Sequence, residues 1–189
     1  MNAKTSVFFF SLFLLIGISQ STQAATVSFS PSNTTVSIGE MFSLDVVGTG
    51  FADSLFGGGI DLTFDSSVIN IIGTAINTSV FEFEPKAGDF DNVAGTLVDT
   101  GFNTFNPPAA TDFHFMTISF IAVGAGLTDL MLSESPNFGF FDKNVSAIGG
   151  AITFNNGQVS VVPVPAAFWL MGSALFGVFA VGQSKQAKK

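Results

Sequence analysis

The sequence has no cysteine, no tyrosine and no arginine, and it has one tryptophan and one histidine in 189 residues. Without cysteine it can form neither a disulfide framework nor a thiolate metal site, although that absence alone leaves the compartment open. With a single histidine and no Gly-x-Ser-x-Gly, the sequence offers no motif that places a nucleophile–base–acid set. The one tryptophan, Trp169, lies near the C-terminus, so the central region has no Trp or Tyr to line a sugar cleft. Charge is scarce and uneven: from Glu40 to Lys143 fourteen acids face two lysines, a balance of −12, and the other four lysines sit at the two ends. An acidic middle repels phosphate backbones, which excludes nucleic acid as a partner.

Phenylalanine is abundant, with 24 residues. The N-terminus opens with Lys4, a twelve-residue apolar run from Val7 to Ile18, and then small polar residues. Thr22 and Ala24 occupy the −3 and −1 positions of a cleavage between Ala24 and Ala25. This is the pattern of a secretory signal peptide over residues 1–24, with signal peptidase as the implied partner; an uncleaved anchor is the alternative.

Residues 25–162 read as strands and turns. Val27 and Phe29 alternate with polar residues, as do Phe42, Leu44 and Val46, then Ile60, Leu62 and Phe64, and later Met116, Ile118 and Phe120. Val68–Ile72, Thr96–Phe102, Leu127–Leu132, Gly150–Phe154 and Gln158–Val162 are further strands. Pro31-Ser32-Asn33, Gly39-Glu40 and Asn156-Gly157 supply turn chemistry. No amphipathic helix longer than about ten residues shows. The pattern predicts an all-β, antiparallel sandwich whose core is filled by phenylalanine rings. About 138 residues suffice for such a core without disulfides.

Three stretches carry a resemblance: the opening TVSFSPSNTTVSIGEMFSLDVV, the central FGGGIDLTFDSSVINIIG and the closing FNNGQVSVV. They resemble cohesin-like domains of the carbohydrate-binding-module superfamily, which implies a nine-stranded jelly-roll sandwich over nearly all of residues 25–162. Cohesins proper bind dockerin modules. That partner is not carried over, because the fold alone does not specify it.

The tail from 163 to 189 has three parts. Pro163-Val164-Pro165 holds the backbone extended. Residues 166–182 form an apolar run with Ser173 as its one clearly polar residue, about 25 Å long as a helix, the short end of a bilayer span. Residues 183–189 carry Lys185, Lys188 and Lys189, which place the C-terminus in the cytoplasm by the positive-inside rule. Val162-Pro163-Val164-Pro165-Ala166-Ala167, Trp169-Leu170 and Gly172-Ser173 match, position by position, a pattern similar to the PEP-CTERM sorting signal of Gram-negative bacteria. Two features depart from that pattern: Val164 stands where Glu is usual, and spaced lysines replace clustered arginines. The resemblance implies processing near the motif by an exosortase-type membrane enzyme, in a host that makes an exopolysaccharide matrix. An ordinary single-pass anchor is the competing reading.

The sequence therefore predicts an exported, non-enzymatic surface or matrix protein. It would pass through an inner-membrane intermediate and then present its sandwich to exopolysaccharide or other surface proteins. A carbohydrate- or calcium-binding module is the alternative. No cofactor is expected on the leading reading. For calcium, Asp89, Asp91 and Asn92 come closest to a loop-site spacing, with solvated surface charge as the rival reading. Glu82, Glu84, Asp89 and Asp91 fall in one loop-like stretch, where paired carboxylates could in principle serve glycoside hydrolysis. For sugar stacking the candidates are Phe56, Phe102 and Phe105, set against core or loop packing. Counted back from Met116, His114 falls on the apolar register and is expected to be packed inward.

Overall fold

The computed structural model describes residues 24–51, 55–107 and 110–163. Among them are thirteen strands. The first half of the chain gives β1 (Ala25–Ser30), β2 (Asn33–Ser37), β3 (Met41–Thr49), β4 (Leu55–Gly58), β5 (Ile60–Thr63) and β6 (Ile69–Ile76). The second half gives β7 (Phe83–Asp91), β8 (Thr96–Asn103), β9 (Phe113–Ala122), β10 (Gly126–Glu134), β11 (Phe141–Asp142), β12 (Ile152–Phe154) and β13 (Gly157–Val162). They form two sheets. The first runs β12-β1-β3-β9-β6; the second runs β11-β4-β8-β5-β10-β13-β2, with β7 on the other edge of β8. The all-β sandwich expected from the alternation is present. Three of its strand paths are broken in the middle, at Pro31-Ser32, at Gly59 and at Asn155-Asn156, so thirteen segments trace nine paths plus the two-residue β11.

Two pairings are parallel. β1 runs with β12 and β2 with β13, while every other pairing is antiparallel. The first and last segments of the sandwich thus travel side by side in one direction, and both cross from the first sheet to the second. The chain enters at one pole, at Ala25, and leaves at the opposite pole, at Val162.

Inward residues follow the period of two, and the Phe-rich composition becomes the core. Phe51, Phe81, Phe102, Phe113, Phe115 and Phe140 meet near the entry pole, while Phe64 and Phe120 meet toward the exit pole. Phe115 is the hub of the first group. Its ring lies 4.6 Å from Phe102 in a stacked pair, and within about 6 Å of Phe51, Phe81, Phe113 and Phe140. Gly48 lies directly beneath it, where any Cβ would run into the Phe115 ring.

Two bulges correct the sequence reading. In β9, Val46 pairs with Met116 and Val47 with His114, leaving Phe115 as an extra residue. The insertion inverts the faces before it, so Phe113, Phe115 and Met116 are buried and His114 is exposed. His114 is therefore not packed inward as its register predicts. In β6, Ile72 is the extra residue between Ile71 and Gly73, and it faces solvent.

The stretch read as loop-like, FEFEPKAGDFDN, is largely strand: β7 pairs with β8 along almost its whole length. Pro85, Gly88 and five outward-leaning residues hide it, because an edge strand lacks a buried face to impose alternation. The hairpin tip is tied across to the first sheet by Asn92. Its side-chain amide donates to the Ile71 carbonyl (2.9 Å) and its oxygen accepts from the Ile71 N–H (2.8 Å), standing in for a strand neighbour just before the bulge. Replacing Asn92 by alanine is expected to cost about 2 kcal/mol, since it leaves both Ile71 groups part-buried and unpaired. Urea denaturation compared with the wild type checks this; a loss under about 0.5 kcal/mol would show that water replaces the amide.

Candidate functional site

The outer face of the second sheet is built by β7, β8, β5, β10 and β13. Inward Leu62, Leu97, Leu130 and Leu132 alternate with outward Asp61, Thr63, Thr96, Val98, Asp129, Met131 and Ser133. The register places these in rows. Asp91, Thr96, Thr63 and Met131 form one row across four strands, and Asp89 stands opposite Val98. Asp129 accepts from the Gln158 side-chain amide on β13 (3.0 Å). Met131 is 55% exposed, and Val98 also reaches solvent. Thr63, Asp65, Leu127, Asp129 and Met131 border a shallow trough of about 370 Å³ toward the exit pole.

The centre of this face is irregular for a reason visible in the pairing. β4 and β5 both lie on the same edge of β8, but the register slips by one residue between Gly58↔Phe102 and Leu62↔Leu97. Asp99 absorbs the slip with φ +58°, a left-handed conformation that Asp tolerates better than most residues. Its N–H then donates to Asp61 (3.0 Å) rather than to a ladder carbonyl. The buried Thr100 hydroxyl takes over for Ile60, accepting from its N–H (2.8 Å) and donating to its carbonyl (2.6 Å). Asp99 is aimed outward, where it accepts from Asn137 Nδ2 (2.6 Å) and faces Lys86 Nζ (3.7 Å). Lys86 also faces Asp89 (3.7 Å) and sits over the Phe138 ring (5.6 Å). One lysine is thus shared by two carboxylates, while Asp61 accepts from the Asp99 N–H and Asp129 from the Gln158 amide. The result is a flat acidic field around exposed Val98 and Met131.

The calcium candidates are not brought together. Asp89 leans to Lys86, Asp91 folds over the hairpin to accept from Val93 and Ala94 N–H (2.7 and 3.1 Å), and Asn92 is spent on Ile71. Among the described residues no group of three or more His, Asp or Glu could hold a metal. Of the ring candidates, Phe102 is fully buried, Phe56 is partly buried and Phe105 is 67% exposed. Phe105 packs on Phe83 with centroids 4.0 Å apart, beside an open depression of about 380 Å³ lined by Ser79, Val80, Glu82, Thr104 and Asn106. Glu82 accepts from the Phe105 N–H (3.0 Å).

On the outer face of the first sheet, His114 Nε2 lies 3.3 Å from Asp45 and 3.2 Å from the Thr117 hydroxyl, which donates to Asp45 (2.6 Å). Both contacts are made at one imidazole nitrogen. An orienting acid would need the other nitrogen, so this is a surface triangle and not a nucleophile–base relay.

Of the sequence-predicted targeting residues, Ala24 is the first described residue, Ala25 opens β1, Val162 closes β13 and Pro163 follows it. The remainder of the signal segment, together with Val164, Pro165, Ala166, Ala167, Trp169, Lys185, Lys188 and Lys189, lies outside the described residues. Among the described residues no helix is long and apolar enough to cross a membrane. The sequence reading missed Asp61, Asp99 and Asp129. Their alternation with apolar residues is visible, but nothing local shows that three strands distant in sequence share one face.

Several carboxyls are held below the usual range by turn hydrogen bonds: Asp142 chiefly by the Ser146 N–H, Asp91 by the Ala94 N–H, and Asp65 by the Ser67 hydroxyl. Glu82 is lowered by its own N–H and then by the Thr104 side chain. A carboxyl lowered in the folded state stabilises at pH above its unfolded pKa, and that stabilisation is lost as pH falls through the lowered value. Stability is therefore expected to hold from neutrality to about pH 5 and to fall below about pH 4. Urea midpoints across that range check it, and an Asp142→Asn variant should lose part of the acid-side decline.

No protein-family model matches the chain, and no curated protein matches it significantly. Solved structures do. A cohesin from Clostridium acetobutylicum matches with a TM-score of 0.57 at 17% identity, covering 75% of this chain and 92% of its own. A non-cellulosomal cohesin from the archaeon Archaeoglobus fulgidus matches with a TM-score of 0.59 at 13% identity, covering 74% and 92%. A chain of a type I cohesin–dockerin complex from Clostridium thermocellum matches with a TM-score of 0.59 at 14% identity, covering 74% and 100%. At these identities the likeness defines the fold: residues 24–163 form a cohesin-like β-sandwich. The fold expected from the three sequence stretches is the fold observed.

Proposed function

We propose that this protein is an exported, non-enzymatic binding module that offers the outer face of its second sheet to a surface protein. The observation that carries this reading is the acidic field of Asp61, Asp89, Asp99 and Asp129 around Val98 and Met131. A flat apolar centre with a charged rim suits a protein partner bearing lysines and arginines, and repels polyanions. The neighbours support the class of function, since one was solved as a cohesin–dockerin complex. Delivery rests on the two ends of the chain: signal peptidase cleavage before Ala25, and exosortase-type processing near Pro163–Ala167, which would leave the sandwich on the surface or in the matrix.

Two experiments test it. A photo-crosslinker at Ser133, on the acidic face, should capture a protein on the host surface, and the capture should disappear in Asp61→Lys/Asp129→Lys. Equal capture from Thr153, on the first sheet, would overturn the assignment of the face. Mass spectrometry of the mature C-terminus should find a new end near Pro163–Ala167; an intact Lys189 in the inner membrane would overturn the sorting route.

A second reading, polysaccharide contact, is favoured by one observation. Phe105, packed on the half-buried Phe83, offers exposed ring surface at the entry pole, with Glu82, Thr104 and Asn106 alongside to hydrogen-bond hydroxyls. Saturable matrix-glycan binding that weakens about tenfold in Phe105→Ala would support it.

A further inference from the structure

Half of the exposed large apolar side chains of the described residues lie at the exit pole. Ile38, Met41, Val93, Val123, Leu127 and Val162 all reach solvent there, Met41 at 69%, Leu127 at 58% and Val93 at 92% exposure. Backbone contacts show that they are neighbours. The Ile38 N–H donates to the Val162 carbonyl, and Gly39 N–H to that of Ala122. Met41 pairs with Ile121, and Leu127 pairs with Ser160. Val123 N–H donates to Val68, while the Ser66 hydroxyl, two residues away in the same turn, donates to the Val93 carbonyl. Three connections, β2–β3, β7–β8 and β9–β10, and the end of β13 each bring an apolar side chain to this pole, with Met41 at its first-sheet side and Leu127 at its second-sheet side. Single exposed apolar residues are ordinary; a convergence of this kind marks a contact surface.

What covers it follows from where the chain goes next. Only Pro163, Val164 and Pro165 separate Val162 from the apolar run at 166–182. Three residues reach at most about 10 Å. With that run held in a bilayer, this pole cannot stand farther than that from the lipid surface. We propose that the exit pole is a lipid-contacting surface, which seats the sandwich on the outer leaflet while the tail is still attached. The inference rests on the reading that residues 166–182 are membrane-embedded.

The electrostatics select the lipid. The carboxylates at this pole are turned onto backbone N–H groups of their own turns: Glu40 accepts from Ser37 (2.9 Å), Asp65 from Ser67 (2.9 Å) and Asp91 from Val93 (2.7 Å). The lysines of the described residues lie elsewhere: Lys86 is on the second sheet's face, and Lys143 follows β11 at the entry pole. The surface is apolar with a negative rim, so it suits zwitterionic headgroups and disfavours anionic ones. Seating here keeps Pro163–Pro165 in the headgroup layer, within reach of a membrane-embedded processing enzyme.

The chain has no cysteine, so single labels can be placed freely. The full chain, carrying a fluorophore on Val123→Cys or on Thr78→Cys at the opposite pole, is reconstituted in phosphatidylcholine vesicles containing spin-labelled lipid. Val123 should be quenched at least about threefold more than Thr78, less so with phosphatidylglycerol present. Adding Met41→Ser and Leu127→Ser should abolish the difference without changing the thermal midpoint by more than a few degrees. Protein that fails to float with the vesicles overturns the membrane-embedded tail, and the inference with it. Protein that floats while Val123 stays unquenched overturns the inference alone. So does Val123 that is shielded from aqueous iodide yet unquenched by lipid, which would show a second copy or the chain's own tail on this pole.

Discussion

Phe115→Ala is expected to cost the sandwich about 3–5 kcal/mol, lowering its thermal midpoint by about 10–20 °C. The ring is fully buried and touches five other phenylalanines, so its removal leaves a cavity that no single neighbour can fill by a rotamer change. Relaxation is hindered further because Phe115 is the extra residue of the β9 bulge, fixed by pairings on both sides. Phe115→Leu keeps much of the volume and should lose less than half as much. Differential scanning calorimetry of the two variants decides; a shift below about 3 °C for the alanine variant would mean that the core collapses around the gap. Since domains of this size hold about 5–15 kcal/mol in total, the alanine variant should also be conspicuously sensitive to protease.

Thr100→Val is nearly isosteric, yet it is expected to cost about 2–4 kcal/mol. The hydroxyl gives Ile60 both hydrogen bonds that the slipped β5–β8 register withholds, and valine would leave a buried N–H and a buried carbonyl unpaired. Gly59 next to this point has no room for a Cβ, which would strike the Thr100 carbonyl, so the backbone cannot shift to recover the bonds. Thr100→Ser should fall within about 1 kcal/mol of the wild type, because it keeps the hydroxyl. The functional consequence is specific: the slip is what turns Asp99 outward beside Asp61 and Lys86. Loosening it should weaken partner capture from the Ser133 crosslinker more than Phe115→Leu does at matched stability. Equal losses would mean that the face responds only to global stability.

Much of the architecture could be read in advance. Ile60, Leu62 and Phe64 alternate with polar neighbours and do line the core, and the surplus of phenylalanine does fill it. β7 could not be read, because Pro85, Gly88 and the acids around them belong to an edge strand, where one-sided burial does not impose a period. His114 could not be placed either. A bulge is one residue long, has no sequence signature here, and reverses every side chain before it.

The sequence by itself determined the strand pattern, the lack of any cysteine thiolate, the acidity of the middle and the apolar and basic order of the tail. All of these depend on residue type and near neighbours, and local spacing encodes them. Tertiary structure alone decided that Asp61, Asp99 and Asp129 share a face, that Asn92 bridges the two sheets, and that six exposed apolar residues lie at the pole where the chain leaves. Those groupings depend on strand order and register, which are set by the packing of residues tens of positions apart and by slips of a single residue that no local pattern records.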